Sequence, residues 1–330
     1  MIAARWLDTG WVEPAAFHAT YAALAEAGSA QPALVWGRCP AHICLGQSQD
    51  PRQELNLPLA VPVVRRPLGG GTVWVDENQY CLAVVAPLHC MPSRPGDWFA
   101  WMLGPMAATY RARGLAVLRK ERDLWCEGRK IAGSGAATIN GHAVLASSFL
   151  LRFPAERFAA CIACPTSGFR QWLEEELRVA MTDWESHAIP PQEHELAQTF
   201  QRQIELAWGW RFERAALDEA ELAKRAQMLA GNSENDGWQE GGRLVPHGVK
   251  LNAATFLTEH RRDGRWARVL TRDGKIARLA LSCGLPSHAL ERLVGCVPGA
   301  TELRPLLEDV LPAADADCFA RLICETAYSE

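Results

Sequence analysis

At 330 residues the chain is long enough for one large domain and a smaller one, each with its own core. Hydrophobic residues make up 48% and charged residues 22%, the balance of an ordinary globular protein. A net charge of -4 excludes a nucleic-acid binder that relies on a basic surface, and no apolar run reaches the length of a membrane span.

The opening residues carry Asp8 and Glu13 and lack the apolar stretch of a secretory signal, so a cytoplasmic location is expected. Residues 14–27 predict an alanine-rich helix ended by Gly28. Short strands follow at 33–36 and 42–45, then a strand at 61–65 that runs into a loop at 67–71. Residues 72–75 and 80–86 predict a strand pair across the polar turn 76–79, and residues 98–113 a helix closed by Gly114. Further strands are expected at 115–118, 124–127, 130–132 and 143–151, with Asn140-Gly141 marking a hairpin.

Cys161 and Cys164 form a C-x-x-C pair without the second pair that zinc requires. Buried apolar thiols are the expectation there. The odd total of eleven cysteines fits reduced thiols of the cytoplasm better than a disulfide framework. Helices are expected near 191–208 and 215–230. The small and polar run 231–237 is the candidate linker, which divides the chain into 1–235 and 236–330. Beyond it, strands at 265–271 and 275–283 flank the turn Arg272-Asp273-Gly274, and helices follow at 287–294 (Ser287 as N-cap), 303–310 and 315–326. Strands and helices without regular βαβ alternation give an α+β fold class.

Two stretches carry chemistry. In Val63–Asp76 a strand delivers Arg65 and Arg66 into the triple glycine Gly69-Gly70-Gly71. Residues without Cβ let a backbone approach a ligand and aim its amides, and an arginine beside them offers forked donors to phosphate. A glycine-rich turn with solvated arginines would produce the same composition, so the residues alone leave both readings open. In Glu127–Gly135 the scarce lysine Lys130 sits among small and apolar residues, with Gly133, Ser134 and Gly135 leaving room for a ligand. An ammonium desolvated there needs an anion or a carbonyl; a surface lysine that snorkels is the alternative.

Taken together, in this order and spacing, the two stretches resemble the lipoate–protein ligases of the biotin/lipoate ligase family. Arg65 to Asp76 meets Arg-Arg-x-x-Gly-Gly-Gly-x-Val-x-x-Asp, and Gly128 to Ser134 meets Gly-Arg-Lys-x-x-Gly-Ser. Arg122-Asp123-Leu124 stands where the family has Asn-Asp-Leu, and Gly46-Gln47-Ser48-Gln49 resembles its Gly-x-x-Gln. The resemblance covers about residues 1–235, and a weaker one in 248–330 is similar to the accessory domain of two-domain ligases.

This resemblance implies a large mixed-sheet catalytic domain and a small C-terminal α+β accessory domain. It implies ATP-dependent attachment of lipoate, or a similar medium-chain acid, to a lysine of a carrier protein through an acyl-adenylate, with ATP and Mg²⁺ required. Arg66 would hold phosphate, and Gly69, Gly70, Gly71, Thr72, Val73 and Trp74, with Gly133 and Ser134, would line the nucleotide and acyl site. Lys130 would bridge the acyl carbonyl and the α-phosphate; Asp123 and Asp76 are candidates for Mg²⁺ or for orienting Lys130.

Three departures stand out. Val75 replaces a family histidine, Leu145-Ala146 replaces a His-His pair, and Arg122 replaces asparagine. Rival readings are an octanoyl or lipoyl transferase of the same fold that uses a cysteine thioester, biotin ligation, which is disfavoured because the biotin branch carries a different glycine-arginine loop, and a non-catalytic homologue that binds the carrier, supported only by the lost histidines.

Overall fold

The computed structural model describes residues 2–231, 243–252 and 254–326, so the expected linker lies, beyond Gly231, outside the described residues. The chain folds into two compact units. The first holds Met1–Pro51, Pro58–Cys161 and Met181–Gly241; the second holds Arg52–Leu57, Ile162–Ala180 and Gly242–Glu330. Among the described residues no helix is long and apolar enough to cross a membrane.

In chain order the elements up to Gly231 begin with β1 (Ile2–Trp11), α1 (Pro14–Glu26), β2 (Ala33–Arg38), β3 (His42–Leu45), α2 (Pro51–Glu54), β4 (Val63–Arg65), β5 (Val73–Val75), β6 (Gln79–Pro87) and α3 (Trp98–Ala112). Then come β7 (Val117–Lys120), β8 (Asp123–Cys126), β9 (Arg129–Ile139), β10 (His142–Leu150), α4 (Ala155–Cys161), α5 (Ser167–Ala180), α6 (Glu193–Trp208), β11 (Trp210–Arg214) and α7 (Glu219–Gly231).

The first unit is built on an eight-stranded sheet in the order β11-β1-β2-β6-β10-β9-β8-β7. Its β11-β1-β2 end is parallel, and every pairing from β2 to β7 is antiparallel. β6 is buried along its whole length, as a strand covered on both faces must be. One face packs Leu34, Trp36, Leu82, Leu145 and Phe149 against Met102, Met106 and Tyr110 of α3 and Phe200 of α6. The other packs Val35, Ala83, Val85 and Val144 against Phe17, Tyr21 and Leu24 of α1 and against Leu68. The β9–β10 hairpin turns at Asn140 and Gly141, both at positive φ (44° and 74°), the geometry that Asn-Gly favours.

β3, β4 and β5 form a separate small sheet in the order β4-β3-β5. The glycine loop therefore crosses over β3, with β4 parallel and β5 antiparallel to it. β5 and β6 lie in different sheets, so the expected strand pair around residues 76–79 is not a hairpin.

The second unit contains α5 and a meander of β12 (Gly248–Asn252), β13 (Thr255–Arg262), β14 (Arg265–Arg272) and β15 (Lys275–Leu281). Both Asp-Gly turns, Asp263-Gly264 and Asp273-Gly274, lie at positive φ. α8 (Ser287–Leu293), α9 (Ala300–Glu308) and α10 (Ala313–Thr326) close a core of Val269, Ile276, Leu279, Leu303, Leu307 and Phe319. Ser287 is not the N-cap of α8: Pro286 holds that position, without a side-chain cap.

Candidate active site

The site grows out of a bulge. Asp123 pairs with Gly133 and Leu124 with Ala132, but Trp125 pairs with Lys130, so Ile131 is one residue extra in β9. In a regular strand residues 130 and 133 would face opposite ways. The extra residue restores parity and brings Lys130 to the face of Gly133 and Gly135. Ile131, Leu124 and Cys126 turn the other way, into the core beneath α3.

On this face the Lys130 ammonium stands 3.0 Å from Asp123 Oδ1, with 19% and 8% of the two side chains exposed. A Cβ added at Gly133 would meet Lys130 Nζ at 2.9 Å, and one added at Gly135 would meet the Gly69 carbonyl oxygen at 3.4 Å and Leu68 at 3.6 Å. The two glycines are two residues apart on one strand, roughly 7 Å. Lysine and glycine loop thus rest side by side on β9. The Lys130 backbone is clamped from the other edge, where the Thr182 N–H donates to its carbonyl at 2.8 Å and the Thr182 hydroxyl meets His187 Nε2 at 2.9 Å.

Arg66 is 8% exposed and fills the inside of the glycine loop. Its guanidinium donates to the carbonyls of Cys44 (3.1 Å), Gly69 (3.0 Å) and Gly71 (2.7 Å). Arg65 donates to the carbonyls of Gln47 and Gln49, both at 2.8 Å. Behind the loop lie His18, Tyr21 and Cys44, with His18 Nε2 at 3.4 Å from the Cys44 sulfur. Burial, followed by the Arg66 charge, lowers His18 to about 3; burial lowers His42 to about 4. Burial pushes the Cys44 thiol up, against the pull of Arg66.

The other expected residues are placed as follows. The Thr72 hydroxyl accepts from Gln49 Nε2 at 3.0 Å, and Val73 is exposed. Trp74 is buried, donates to Asp76 Oδ2 at 2.8 Å and lies under Arg157. Asp76 is fully buried and its second oxygen accepts from the Asn78 N–H, so it serves the turn rather than a metal or Lys130. The Ser134 hydroxyl donates to the Arg122 carbonyl at 2.6 Å. Of the residues that replace the family histidines, Ala146 stands opposite Gly135 and packs, with Val75, on the α1 side, whereas Leu145 points into the other core. The sequence gives Gln49 its place in Gly-x-x-Gln but no role, and it carries no signal of the Ile131 bulge or of the Thr182–His187 contact.

Among the described residues no group of three or more His, Cys, Asp or Glu side chains could hold a metal ion. Mg²⁺ that arrives on a nucleotide takes one or two carboxylates and completes its shell with phosphate oxygens and water. Asp123 fits that donor set.

The family profile "Lipoyl protein ligase A/B catalytic domain" matches residues 13–204. The chain belongs to the lipoyl protein ligase family. Among solved structures it is similar to an archaeal bi-partite lipoate protein ligase from Thermoplasma acidophilum, at 18% identity and a TM-score of 0.64, over 74% of this chain and 100% of that one. It is similar to lipoate-protein ligase A bound with ATP, at 16% identity and 0.60, over 72% and 98%. It is also similar to P. falciparum LipL1 in complex with lipoate, at 10% identity and 0.57, over 98% and 100%. No curated protein matches the chain by sequence. At these identities the structural likeness establishes the fold: the lipoyl ligase catalytic sheet with a small C-terminal sheet unit.

Proposed function

We propose that this lipoyl ligase family member activates lipoate, or a similar medium-chain acid, with ATP and transfers the acyl group to a lysine of a carrier protein. The observation that carries the reading is the shared face of β9, where the Lys130 ammonium and the glycine loop lie about two residues apart. Adenylate formation joins the substrate carboxylate to the α-phosphate and releases pyrophosphate. Negative charge develops on the phosphoryl and carbonyl oxygens, and a fixed cation with loop amides stabilises both. Lys130 is that cation. Asp123 holds it in place, and one of its oxygens would be available to Mg²⁺ carried by the nucleotide, whose charge would offset that of the phosphates. The carrier lysine then attacks the acyl carbonyl, a C–N bond forms, and AMP leaves.

The thioester route is disfavoured by the thiols. Cys126 faces the core, away from Lys130, and burial with Glu127 pushes its thiol up. Cys44 is buried beneath the loop and pushed up as well. A poor thiolate is a poor acyl acceptor.

The test is pyrophosphate release. Incubation with ATP, Mg²⁺ and lipoate should release it in a lipoate-dependent manner, and a carrier lipoyl domain should gain the mass of one acyl group. Folded protein that binds no ATP, or that carries the acyl group on a cysteine, would overturn the reading.

A further inference from the structure

The glycine loop is shaped from outside by residues 46–49, which precede it across α2 and β4. Gly46 has an ordinary negative φ, yet a Cβ there would stand 1.9 Å from the Gly70 carbonyl oxygen and 3.4 Å from an Arg66 nitrogen. No side chain fits that gap. Gln49 is 1% exposed and uses both ends of its amide: Oε1 accepts from the Gly46 N–H at 2.9 Å and Nε2 donates to the Thr72 hydroxyl at 3.0 Å. The Gln47 N–H donates to the Leu68 carbonyl at 2.9 Å. Residues 46–49 and 68–72 are thereby laced together on both sides of Arg66.

The consequence lies in which backbone groups remain for a ligand. The carbonyls of Leu68, Gly69 and Gly71 all have donors within the protein. Among the described residues the N–H groups of Gly69, Gly70 and Gly71 have no such acceptor. Gly70 at φ +98° lets the chain reverse inside the loop. A loop whose carbonyls are held by donors of the protein and whose amides have no acceptor in it can cradle an anion. The same contacts give Arg66 a role as its inner support.

We propose that Gly46 and Gln49 are positioning residues of the nucleotide site, holding the glycine loop in the conformation that presents its amides to a phosphate chain. The proposal rests on the adenylation reading and adds the device that shapes its loop.

The experiment measures ATP affinity of the full chain by calorimetry, alongside lipoate-dependent pyrophosphate release and thermal melting. Gly46→Ala and Gln49→Leu should each weaken ATP binding by about tenfold or more, the scale of a buried group left without its partner. KM for ATP should rise in step while kcat at saturating ATP changes little. Thr72→Val should weaken binding through the same bond, so the Gln49→Leu/Thr72→Val double variant should bind no worse than Gln49→Leu alone. Thr72→Ser should regain most of what Thr72→Val loses. Should Gln49→Leu fail to fold, the Thr72→Val and Thr72→Ser pair decides by itself. ATP affinities within about twofold of the parent in folded variants, or additive losses, would overturn the proposal. Parent protein that binds ATP but releases no pyrophosphate would overturn adenylation and leave the loop-shaping contacts standing.

Discussion

Two buried guanidinium groups, one in each compact unit, are satisfied in opposite ways. Arg66 in the first unit is 8% exposed and gives its hydrogen bonds to carbonyl oxygens of Cys44, Gly69 and Gly71. Arg268 in the second is 7% exposed and gives them to the carboxylate of Glu259, at 2.7 Å, and to Thr166. It is also packed between Trp172 and Trp266. Its neighbours repeat the pattern: Arg278 pairs with Glu175, Arg272 with Glu176, and Arg243 with Glu54. Neutral oxygens solvate a cation without cancelling it; carboxylates cancel it. The Arg66 charge is still felt nearby, since it lowers His18 and pulls down on Cys44 and Tyr21. Arg66 therefore keeps its positive potential beside the glycine loop, whereas Arg268 and its neighbours are cancelled by internal pairing.

The largest stability effect expected from this contrast lies in the second unit. Arg268→Met leaves buried Glu259 with only the half-exposed Arg261, at 3.1 Å, and the Thr166 hydroxyl, and should cost about 2–3 kcal/mol by denaturant melt. Adding Glu259→Met should return most of it, because the pair's net worth is small once both charges are gone. A mild Arg268→Met variant would break the comparison, since it would mean that Glu259 is not held by that guanidinium.

The largest effect on chemistry belongs to Lys130. Among the described residues Asp123 is its one carboxylate partner, which leaves the ammonium room for a second anion. Lys130→Ala should lower lipoate-dependent pyrophosphate release by about 10²–10³ in kcat, the scale of one lost electrostatic contact to a transition state, with melting preserved. Turnover close to the parent would remove Lys130 from the reaction.

Much of this site could be read in the chain before any coordinates, and the parts that could not share a cause. The glycine triplet and the isolated lysine are legible because desolvated cations and residues without Cβ are unusual in composition. The juxtaposition of the two is not: it depends on the extra residue at Ile131, and a bulge leaves no mark in hydrophobic alternation. Lys130–Ala132 reads as a scrap of strand, whereas β9 runs for eleven residues, because Gly133, Ser134, Gly135, Ala136 and Ala137 carry no strand propensity of their own. Neighbouring strands impose it. β1 escaped for a similar reason, as its Asp8-Thr9-Gly10 reads as a turn. β13 escaped although its Asp263-Gly264 turn carries the same signal as Asp273-Gly274. The α5 segment, 167–180, lies in the second unit far from the rest of that unit in sequence. Sequence order alone does not carry such a placement.

Acid should separate the two units more gently. His18 has a folded pKa near 3 against an unfolded value of about 6.5, and it is held neutral by burial first and by Arg66 second. A lowered folded value means full stability above pH 6.5 and progressive loss as pH falls toward 3, because the unfolded chain binds the proton first. Between pH 7 and pH 5 this group should cost roughly 2 kcal/mol. His42, lowered to about 4, adds in the same direction. His260 of the second unit is also lowered, by burial and by His247, with ring centroids 4.3 Å apart. It is more open to solvent, so its loss should be shallower. The check is an acid titration of stability for His18→Gln and His260→Gln. The first substitution should flatten the slope between pH 7 and pH 5 more than the second. Equal slopes would place the acid sensitivity outside the His18 and Arg66 neighbourhood.

The smallest and sharpest test separates the two glycines of β9. A Cβ at Gly133 meets the Lys130 ammonium at 2.9 Å, and one at Gly135 meets the Gly69 oxygen at 3.4 Å. Neither lies at positive φ, so alanine carries no backbone strain at either place. The flexible end of Lys130 must move aside for the first; the second fits in ordinary van der Waals contact and fills the space between β9 and the loop. Gly133→Ala should therefore lower kcat by about tenfold with ATP affinity intact, and Gly135→Ala should weaken ATP binding a few-fold with kcat intact. Melting should barely shift in either. That split would assign the two glycines to different partners on one strand face, Lys130 for the chemistry and the loop for the nucleotide. If both variants instead lost kcat and affinity in equal proportion, lysine and loop would be acting as one unit, and the division of labour along β9 would have to be abandoned.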